Sequence, residues 1–396
     1  MGGGTKPAVL SLFTGAGGLD LGLEAAGFET VCSVELNSVC RRTLKWNRPQ
    51  WNLLDEADVI SAAGHLSPQD FDLSQGDLDL IAGGPPCQPF SKASQWSPKG
   101  RRGMKDDRAE TVVAMLDLVE AFLPRVLLIE NVAGFLRGQV SAKSFIDDRL
   151  ATINHTNGVD YQLVATVVNS ADFGVPQNRH RVIGIALRDN LDLSLPVPTH
   201  EAHPLTAWDA LHDAPEEDDL PDPQGYWSGL LPAVPEGQNY QYLTKRGGGQ
   251  EVFGYRTRYW SFLLKLARNQ PSWTLPASPG PATGPFHWDN RPLSVREMLR
   301  LQSFPDDWAL EGTHREQVKQ AGNATPPLLA EVFGRQILRA LTSANLPDQP
   351  TLLRNRAAEP PPTATPPQPV PPEYLDHVGA KPEHPGTGLG PGRMTA

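Results

Sequence analysis

The sequence predicts an α/β fold with a doubly wound, mostly parallel sheet and a smaller irregular region inserted late in the chain. Three observations carry that expectation. Short apolar runs alternate with segments of helical spacing from residue 7 to 190. The unusual clusters of glycine, proline, cysteine and charge all follow apolar runs, where parallel sheets bind ligands. The alternation stops between 190 and 290, and helical spacing returns beyond it.

Ala8 to Leu12 is the first strand, running into Thr14-Gly15-Ala16-Gly17-Gly18. Leu19 to Ala26 has helical spacing and stops at Gly27. Thr30 to Val34 is the second strand, with Glu35 at its end. Leu78 to Ala82 is the third and leads into Gly83-Gly84-Pro85-Pro86. Thr111 to Phe122 is helical, and Arg125 to Ile129 is a buried strand ending at Glu130-Asn131. Tyr161 to Val168 and Val182 to Leu187 are two late strands. Residues 190–290 are rich in Pro, Gly and Trp, with an acidic loop at Glu216 to Asp219. Ser294 to Leu301 and Pro327 to Leu341 are helical again, so the last helix is expected to pack back on the core.

Thirteen of the 39 prolines fall between Leu346 and Ala396, where large apolar residues are few. Such a segment buries too little surface to offset chain entropy, so a disordered, partly extended tail is expected. No apolar leader follows Met1 and no run approaches a membrane span, so neither secretion nor membrane insertion is expected. Cys32, Cys40 and Cys87 form no disulfide scaffold and no CxxC metal pair, which suits a reducing cytosol. The net charge of −10 means that any nucleic-acid contact must rest on local patches.

Four clusters bear chemistry. The first is the glycine turn at 14–18. It lacks the dinucleotide spacing and the Lys-Ser/Thr of a phosphate loop, so alone it reads equally as a tight turn. Glu35 lies where an acid grips ribose hydroxyls, and Asp58 could accept from an adenine amino group. Together they point to a nucleoside cofactor without pyrophosphate. The second is Pro85-Pro86-Cys87-Gln88-Pro89-Phe90-Ser91, where prolines stiffen a loop and hold a thiol at a strand end. Cys32 and Cys40, inside apolar patterns, read as buried small residues instead. The third, Glu130-Asn131-Val132, is either a helix cap or a group facing the cleft. In the fourth, Gln177-Asn178-Arg179-His180-Arg181, both arginines alternate to one face; His180 takes the other and reads as structural.

The ordered series of these clusters, with Arg296-Glu297, Leu301 to Pro305 and Gly322-Asn323, resembles the bacterial DNA cytosine-5 methyltransferases of non-permuted motif order. The resemblance spans residues 8 to about 341, and Pro-Pro-Cys-Gln is its most specific element. One departure is Ala324-Thr325 after Gly322-Asn323, where the family has a small residue and then Val.

The resemblance implies a Rossmann-like fold that binds S-adenosylmethionine and transfers its methyl group to C5 of a flipped cytosine in a specific duplex sequence. Cys87 would add to C6, Glu130 would hold N4 and a protonated N3, Arg181 would bind O2, and Arg179 would fix the same pocket. Phe13 would stack on adenine, Gly15, Gly17, Gly18 and Leu19 would pass the methionine end, and Glu35 would hold the ribose. Asp58 and Val59 would meet the adenine, and Pro86 and Asn323 would border the cofactor. It also implies a catalytic domain over 1–189, a target-recognition domain over 190–290, a returning segment over 291–345, and the tail over 346–396.

Local charge fits that reading. Residues 92–108 carry a net +4 and resemble the family's closing loop, giving Ser91, Arg101 and Arg102 as DNA contacts. Residues 240–270 carry a net +5 interleaved with aromatics, giving Lys245, Arg246, Arg256 and Arg258, with Thr274 beyond. Lys265 and Arg268 read better as a solvated helix face. The acidic loop should face away from DNA. Duplex DNA is the expected partner of a monomer, and a cognate restriction endonuclease of the same specificity would share its site. The rivals are a tRNA cytosine-5 methyltransferase, whose relatives carry Thr where Ser91 stands, and a non-catalytic DNA-binding relative. A nicotinamide oxidoreductase, suggested by the glycine turn alone, lacks the fingerprint.

Overall fold

A computed structural model describes residues 6–88, 90, 102–138, 140–188, 191–215, 220, 222–254, 258–342, 346–347 and 349–378. Its centre is a six-stranded sheet in the order β2-β1-β3-β4-β7-β5, from β1 (Ala8–Leu12), β2 (Glu29–Val34), β3 (Leu80–Gly83), β4 (Val126–Asn131), β5 (Tyr161–Asn169) and β7 (His180–Arg188). β1 to β4 are parallel, and β7 lies antiparallel between β4 and β5. The expected mixed α/β class with a mostly parallel sheet is therefore what the chain adopts. β1 pairs with β2 on one side and β3 on the other. The chain reverses its winding there, and that switch point opens a crevice at the strand ends.

Alternation along each strand feeds two cores. Leu10 and Leu12 of β1, with Leu127 and Ile129 of β4, enter one face. Val9, Val126 and Leu128 enter the other. The strand proper begins at Leu80; before it the Leu78 and Asp79 carbonyls accept the Arg125 and Val126 N–H groups at 2.9 Å, and the Asp79 carboxylate takes the Ala8 N–H at 2.9 Å and the Arg125 guanidinium at 3.1 Å. β4 runs two residues beyond its apolar stretch because Glu130 and Asn131 pair with Ile183 and Val182.

Helix α1 (Gly18–Ala26) starts after a left-handed Gly17 and ends at Gly27, φ 112°. It packs against α9 (Pro327–Thr342), the last helix, at very close range. A methyl group on Gly22 would lie 2.2 Å from the Pro327 carbonyl oxygen. α9 buries Leu328, Leu329, Phe333 and Ile337, each worth roughly 1.5–3 kcal/mol. α2 (Ser38–Asn47) is capped by Asn37, α3 (Val59–Ala63) by Asp58, and α4 (Glu110–Phe122) and α5 (Lys143–Asn157) cover the first core face. Later elements are β6 (Gln177–Asn178), α6 (Ala207–Leu211), β8 (Ser272–Trp273), α7 (Val295–Leu301) and α8 (His314–Asn323).

Residues 230–286 bury a cluster of their own, including Leu231, Tyr240, Phe253 and Phe262. Two expectations need correction here. Lys265 and Arg268 are not on a solvated helix face. Lys265 is 4% exposed, donates to the Val234 carbonyl and to Asn290 Oδ1, and burial lowers its amine to about 8. Arg268 meets Glu236 at 2.7 Å. Nor do residues 349–378 form a disordered tail. Leu352 and Leu353 pack on the second core face, and Val370 and Tyr374 enter the cluster of residues 230–286. Composition misleads because a handful of anchors are spaced far apart among the prolines. The acidic loop at 216–219 lies outside the described residues. Among the described residues, no helix is long and apolar enough to cross a membrane.

Candidate active site

Four strand ends converge on one cleft of about 590 Å³. β1 leads to Phe13 and the glycine turn, β2 to Glu35, β3 to Gly84–Cys87, and β4 ends in Glu130 and Asn131. Arg179 and Arg181 enter from the start of β7, and Asn323–Thr325, between α8 and α9, form the opposite wall.

Cys87 is half-buried on a loop fastened on both sides. Asn131 Nδ2 donates to the Pro85 carbonyl at 2.7 Å. The Phe90 N–H returns to the Cys87 carbonyl at 3.0 Å, and the Phe90 ring is buried edge-on against Phe135. Burial pushes the thiol above its ordinary value; the Arg181 charge pulls it back, with Glu130 opposing and Arg179 assisting.

Arg181 Nε lies 3.0 Å from Glu130 Oε1, both side chains being largely buried. Arg179 is 2% exposed. Its guanidinium donates to the Gly322 and Asn323 carbonyls at 3.1 and 3.3 Å. Burial and the Arg181 charge bring it down to about 9, and Glu130 opposes this. Arg179 therefore ties the arginine strand to the far wall.

The other half of the cleft is built around Glu35. Its two oxygens accept the Gly15 N–H at 2.7 Å and the Asn37 N–H at 2.6 Å. Burial raises this carboxyl, and those two bonds and Arg41 counteract it. Phe13 sits at φ 58°, a strained conformation for a bulky side chain, and lines the cleft. Asp58 accepts the Ile60 N–H at 3.1 Å and lines the cleft with Val59. Leu19, Pro86 and Asn323 line it as well.

A family model for the C-5 cytosine-specific DNA methylases matches residues 8–339. The chain belongs to this family. A Type II methyltransferase, M.SacI of Streptomyces achromogenes, is 32% identical over 378 residues, covering 84% of this chain and 93% of that one. M.Eco47II of Escherichia coli, also a Type II methyltransferase, is 33% identical over 365 residues, covering 85% and 80%. The structure of the Schizosaccharomyces pombe Dnmt2 methyltransferase superposes with a TM-score of 0.58 at 18% identity, covering 86% of this chain and all of that one; at that identity it speaks for the fold. The methylase is thus a DNA cytosine-5 methyltransferase, and the family's general methyl donor is S-adenosylmethionine.

The methylase does not use all its glycines alike. Gly15 lines the cleft, at φ 57°. Gly17 and Gly18, expected at the methionine end of the cofactor, are not among the residues lining the cleft, and neither has room for a side chain. A methyl group on Gly17 would lie 2.9 Å from Leu44 and Trp308, and one on Gly18 2.1 Å from the Thr325 carbonyl oxygen. Gly17 allows close packing of the start of α1 on α2 and Trp308, and Gly18 on the turn before α9. Cys40, read as merely buried, also borders the cleft. Leu36, 68% exposed beside Glu35, was not singled out; its place directly after a strand-end acid was the available signal. Lys319 and Gln320, polar positions of α8, gave none.

The DNA-contact candidates are dispersed. Ser91, Arg101 and Arg256 lie outside the described residues. Arg102 is half-buried within the expected closing loop, and Lys245 and Arg246 are exposed. Arg258 lies over the rings of Trp227, Phe253 and Phe262 at 5.6, 5.7 and 5.5 Å. Thr274 Oγ1 donates to the Asn178 carbonyl at 2.6 Å, and β8 pairs with β6 next to the arginine strand. His180 is exposed.

Proposed function

We propose that the methylase modifies C5 of a cytosine flipped out of a specific duplex sequence, through a transient Cys87 Sγ–C6 bond, and serves as the modification enzyme of a restriction-modification system. The observation that carries this reading is the Glu130–Arg181 pair at 3.0 Å, in the same cleft as a rigidly held thiol.

The donor set fits S-adenosylmethionine. Glu35 is oriented by two N–H groups, Asp58 and Phe13 flank it, and the glycine turn carries no Lys or Arg for a pyrophosphate. When bound, the cofactor supplies an electrophilic sulfonium methyl. Glu35 would accept from the ribose hydroxyls, while Asp58 and Val59 meet the adenine. Gly15, Leu19, Pro86 and Asn323 would border the remainder.

Cytosine C5 is a poor nucleophile until C6 is attacked. The thiol proton would pass by way of solvent to N3 as Sγ bonds to C6, pushing an electron pair toward C5. Glu130 accepts from the N4 amino group and from protonated N3, and Arg181 donates to O2, so charge spreading over the ring is met by fixed groups. With the methyl group supplied to C5 by the bound cofactor, which would be left as its neutral thioether, water would remove the C5 proton and the returning pair would expel the Cys87 thiolate. Arg179 keeps Arg181 and the far wall in register.

The test is methyl incorporation from labelled S-adenosylmethionine into duplex DNA and into tRNA, followed by methylation-aware sequencing of a genome carrying the gene. We expect 5-methylcytosine at one duplex sequence and none above background for Cys87→Ala. Transfer to tRNA alone, or turnover by Cys87→Ala, overturns the assignment. Protection of the methylated sequence from a nuclease of that specificity tests the restriction-modification role.

A further inference from the structure

We propose that residues 349–378 are a strut that fixes the aromatic layer beneath Arg258 relative to the catalytic cleft, with Tyr374 as its terminal positioning residue. The DNA part of this inference rests on the function proposed above. The strut has anchors at both ends and an unpacked middle. At the near end, the Thr351 and Leu352 N–H groups donate to the fully buried Glu331 carboxylate of α9 at 2.6 and 2.8 Å, and Arg354 meets Asp306 at 2.7 Å. Halfway, Asp209 of α6 accepts the Ala357 N–H at 2.8 Å and Trp208 Nε1 donates to the Glu359 carbonyl at 3.0 Å. At the far end, the Gln368 N–H reaches the Pro232 carbonyl at 2.9 Å. Val370 and Tyr374 are buried among residues 230–286.

Between Glu359 and Gln368 the chain forms neither helix nor strand and is almost wholly exposed. It contributes no core. Five of its residues are prolines: Pro360, Pro361, Pro362, Pro366 and Pro367. Proline sets φ and makes an extended segment a semi-rigid spacer, about 3.1 Å per residue. Stiffness with no packing is what a distance-setting element requires. The far anchor leads toward a DNA-contact candidate. Tyr374 stacks on Trp227 and Tyr226, with centroids 5.9 and 5.1 Å away, and its hydroxyl donates to the Tyr226 carbonyl at 2.9 Å. Trp227 is one of the rings under the Arg258 guanidinium.

The experiment compares the full chain with two variants. One replaces the five prolines with serine, keeping both anchors. The other is Tyr374→Ala, which frees the far end. Steady-state kinetics on duplex DNA are read with cofactor titration and amide hydrogen exchange over 226–286. We expect KM for DNA to rise about tenfold, since small displacements remote from the chemistry carry such penalties. Cofactor affinity and kcat at saturating DNA should stay the same, with faster exchange over 226–233. A general loss of structure would instead lower kcat and cofactor binding together. If Tyr374→Ala does not fold, Tyr374→Phe, which keeps the ring and removes one hydrogen bond, is read by exchange over 226–233. Unchanged exchange and unchanged KM in the proline variant overturn the strut. A wild-type chain that methylates no duplex overturns the function, while hydrogen exchange still reports the strut.

Discussion

Substituting alanine for Gly18 separates two roles that the glycine turn could play. A methyl group there would lie 2.1 Å from the Thr325 carbonyl oxygen and 3.0 Å from the Phe304 ring. The near atom is backbone, so no rotamer change relieves it. Relief needs a shift of over 1 Å between α1 and the turn leading into α9, in a close-packed interior. Overpacking of this kind costs about 3 kcal/mol. With an unfolding entropy of about 2.1 cal/mol/K per residue, a chain of 396 residues would lose roughly 4 °C in Tm. Gly15→Ala is the control. Only the Phe13 carbonyl oxygen, at 3.8 Å, is near a methyl group there, and the penalty is about 1 kcal/mol for a left-handed alanine. Thermal unfolding without cofactor, followed by cofactor titration, reads both. Gly18→Ala should melt several degrees lower even without cofactor, and should also bind it more weakly because Asn323–Thr325 move. An unchanged Tm in cofactor-free protein, with binding alone impaired, would return Gly18 to the cofactor and refute the packing role.

Two further outcomes follow from the buried charges. Arg181 is the foremost influence drawing the Cys87 thiol down against burial. Arg181→Gln should lower kcat/KM at pH 7.5 by about 10²–10³, by loss of the proposed contact to cytosine O2, and should displace the rising limb of the pH–rate profile to higher pH; an unmoved limb would show that Arg181 does not tune the sulfur. Asp20 is completely buried, and burial raises its carboxyl to about 7, with Ser11 hydrogen bonding opposing and Glu35 adding to the rise. A raised carboxyl binds its proton more tightly when folded, so stability is full below about pH 4 and is lost as pH climbs through about 7. Asp20→Asn should flatten that dependence and raise Tm at pH 8, whereas a decline as steep as in the wild type would place the pH sensitivity elsewhere.

The six strands of the sheet were legible because each is an apolar run bounded by glycine, proline or charge. The antiparallel course of β7 was not, since direction depends on a chain reversal through residues 170–179 that leaves no mark in apolar periodicity. The convergence of Cys87, Glu130, Arg179 and Arg181 on one cleft was legible from residue types at strand ends. What escaped was the difference between a residue that touches a ligand and one that touches the protein. Gly15 and Gly18 look alike in sequence; only the approach of Thr325, some 300 positions later, tells them apart. Lys265 and Arg268 look like surface charges until Asn290 and Glu236 are seen opposite them. The tail shows the same limit. Its proline content correctly excludes a core, but four or five well-placed anchors are enough to hold it.

These long-range contacts bear on how the cleft becomes a binding site at all. Its near walls come from residues 13–35 and 84–87, and its far wall from Asn323–Thr325. The far wall follows α8, whose Ala321 packs with Ala324, Phe304 and Trp308 in a buried cluster. It is fixed by α9 packed on α1, by the bare backbone at Gly18 and Gly22, and by Arg179 reaching the Gly322 and Asn323 carbonyls. A cofactor spanning Glu35 and Asn323 would therefore bridge both ends of the chain. A ligand that binds only the closed arrangement stabilises it by RT ln(1 + [L]/Kd), about 2.7 kcal/mol at a hundredfold excess over Kd. The energy would fall on the α1–α9 contact as much as on the cleft. Arg179 explains why a cation is kept where burial opposes it: an apolar side chain could fill the space, but it could not hold two carbonyl groups beside Arg181. That makes Arg179 the physical link between the Gly322–Asn323 wall and the strand that carries the Glu130–Arg181 pair.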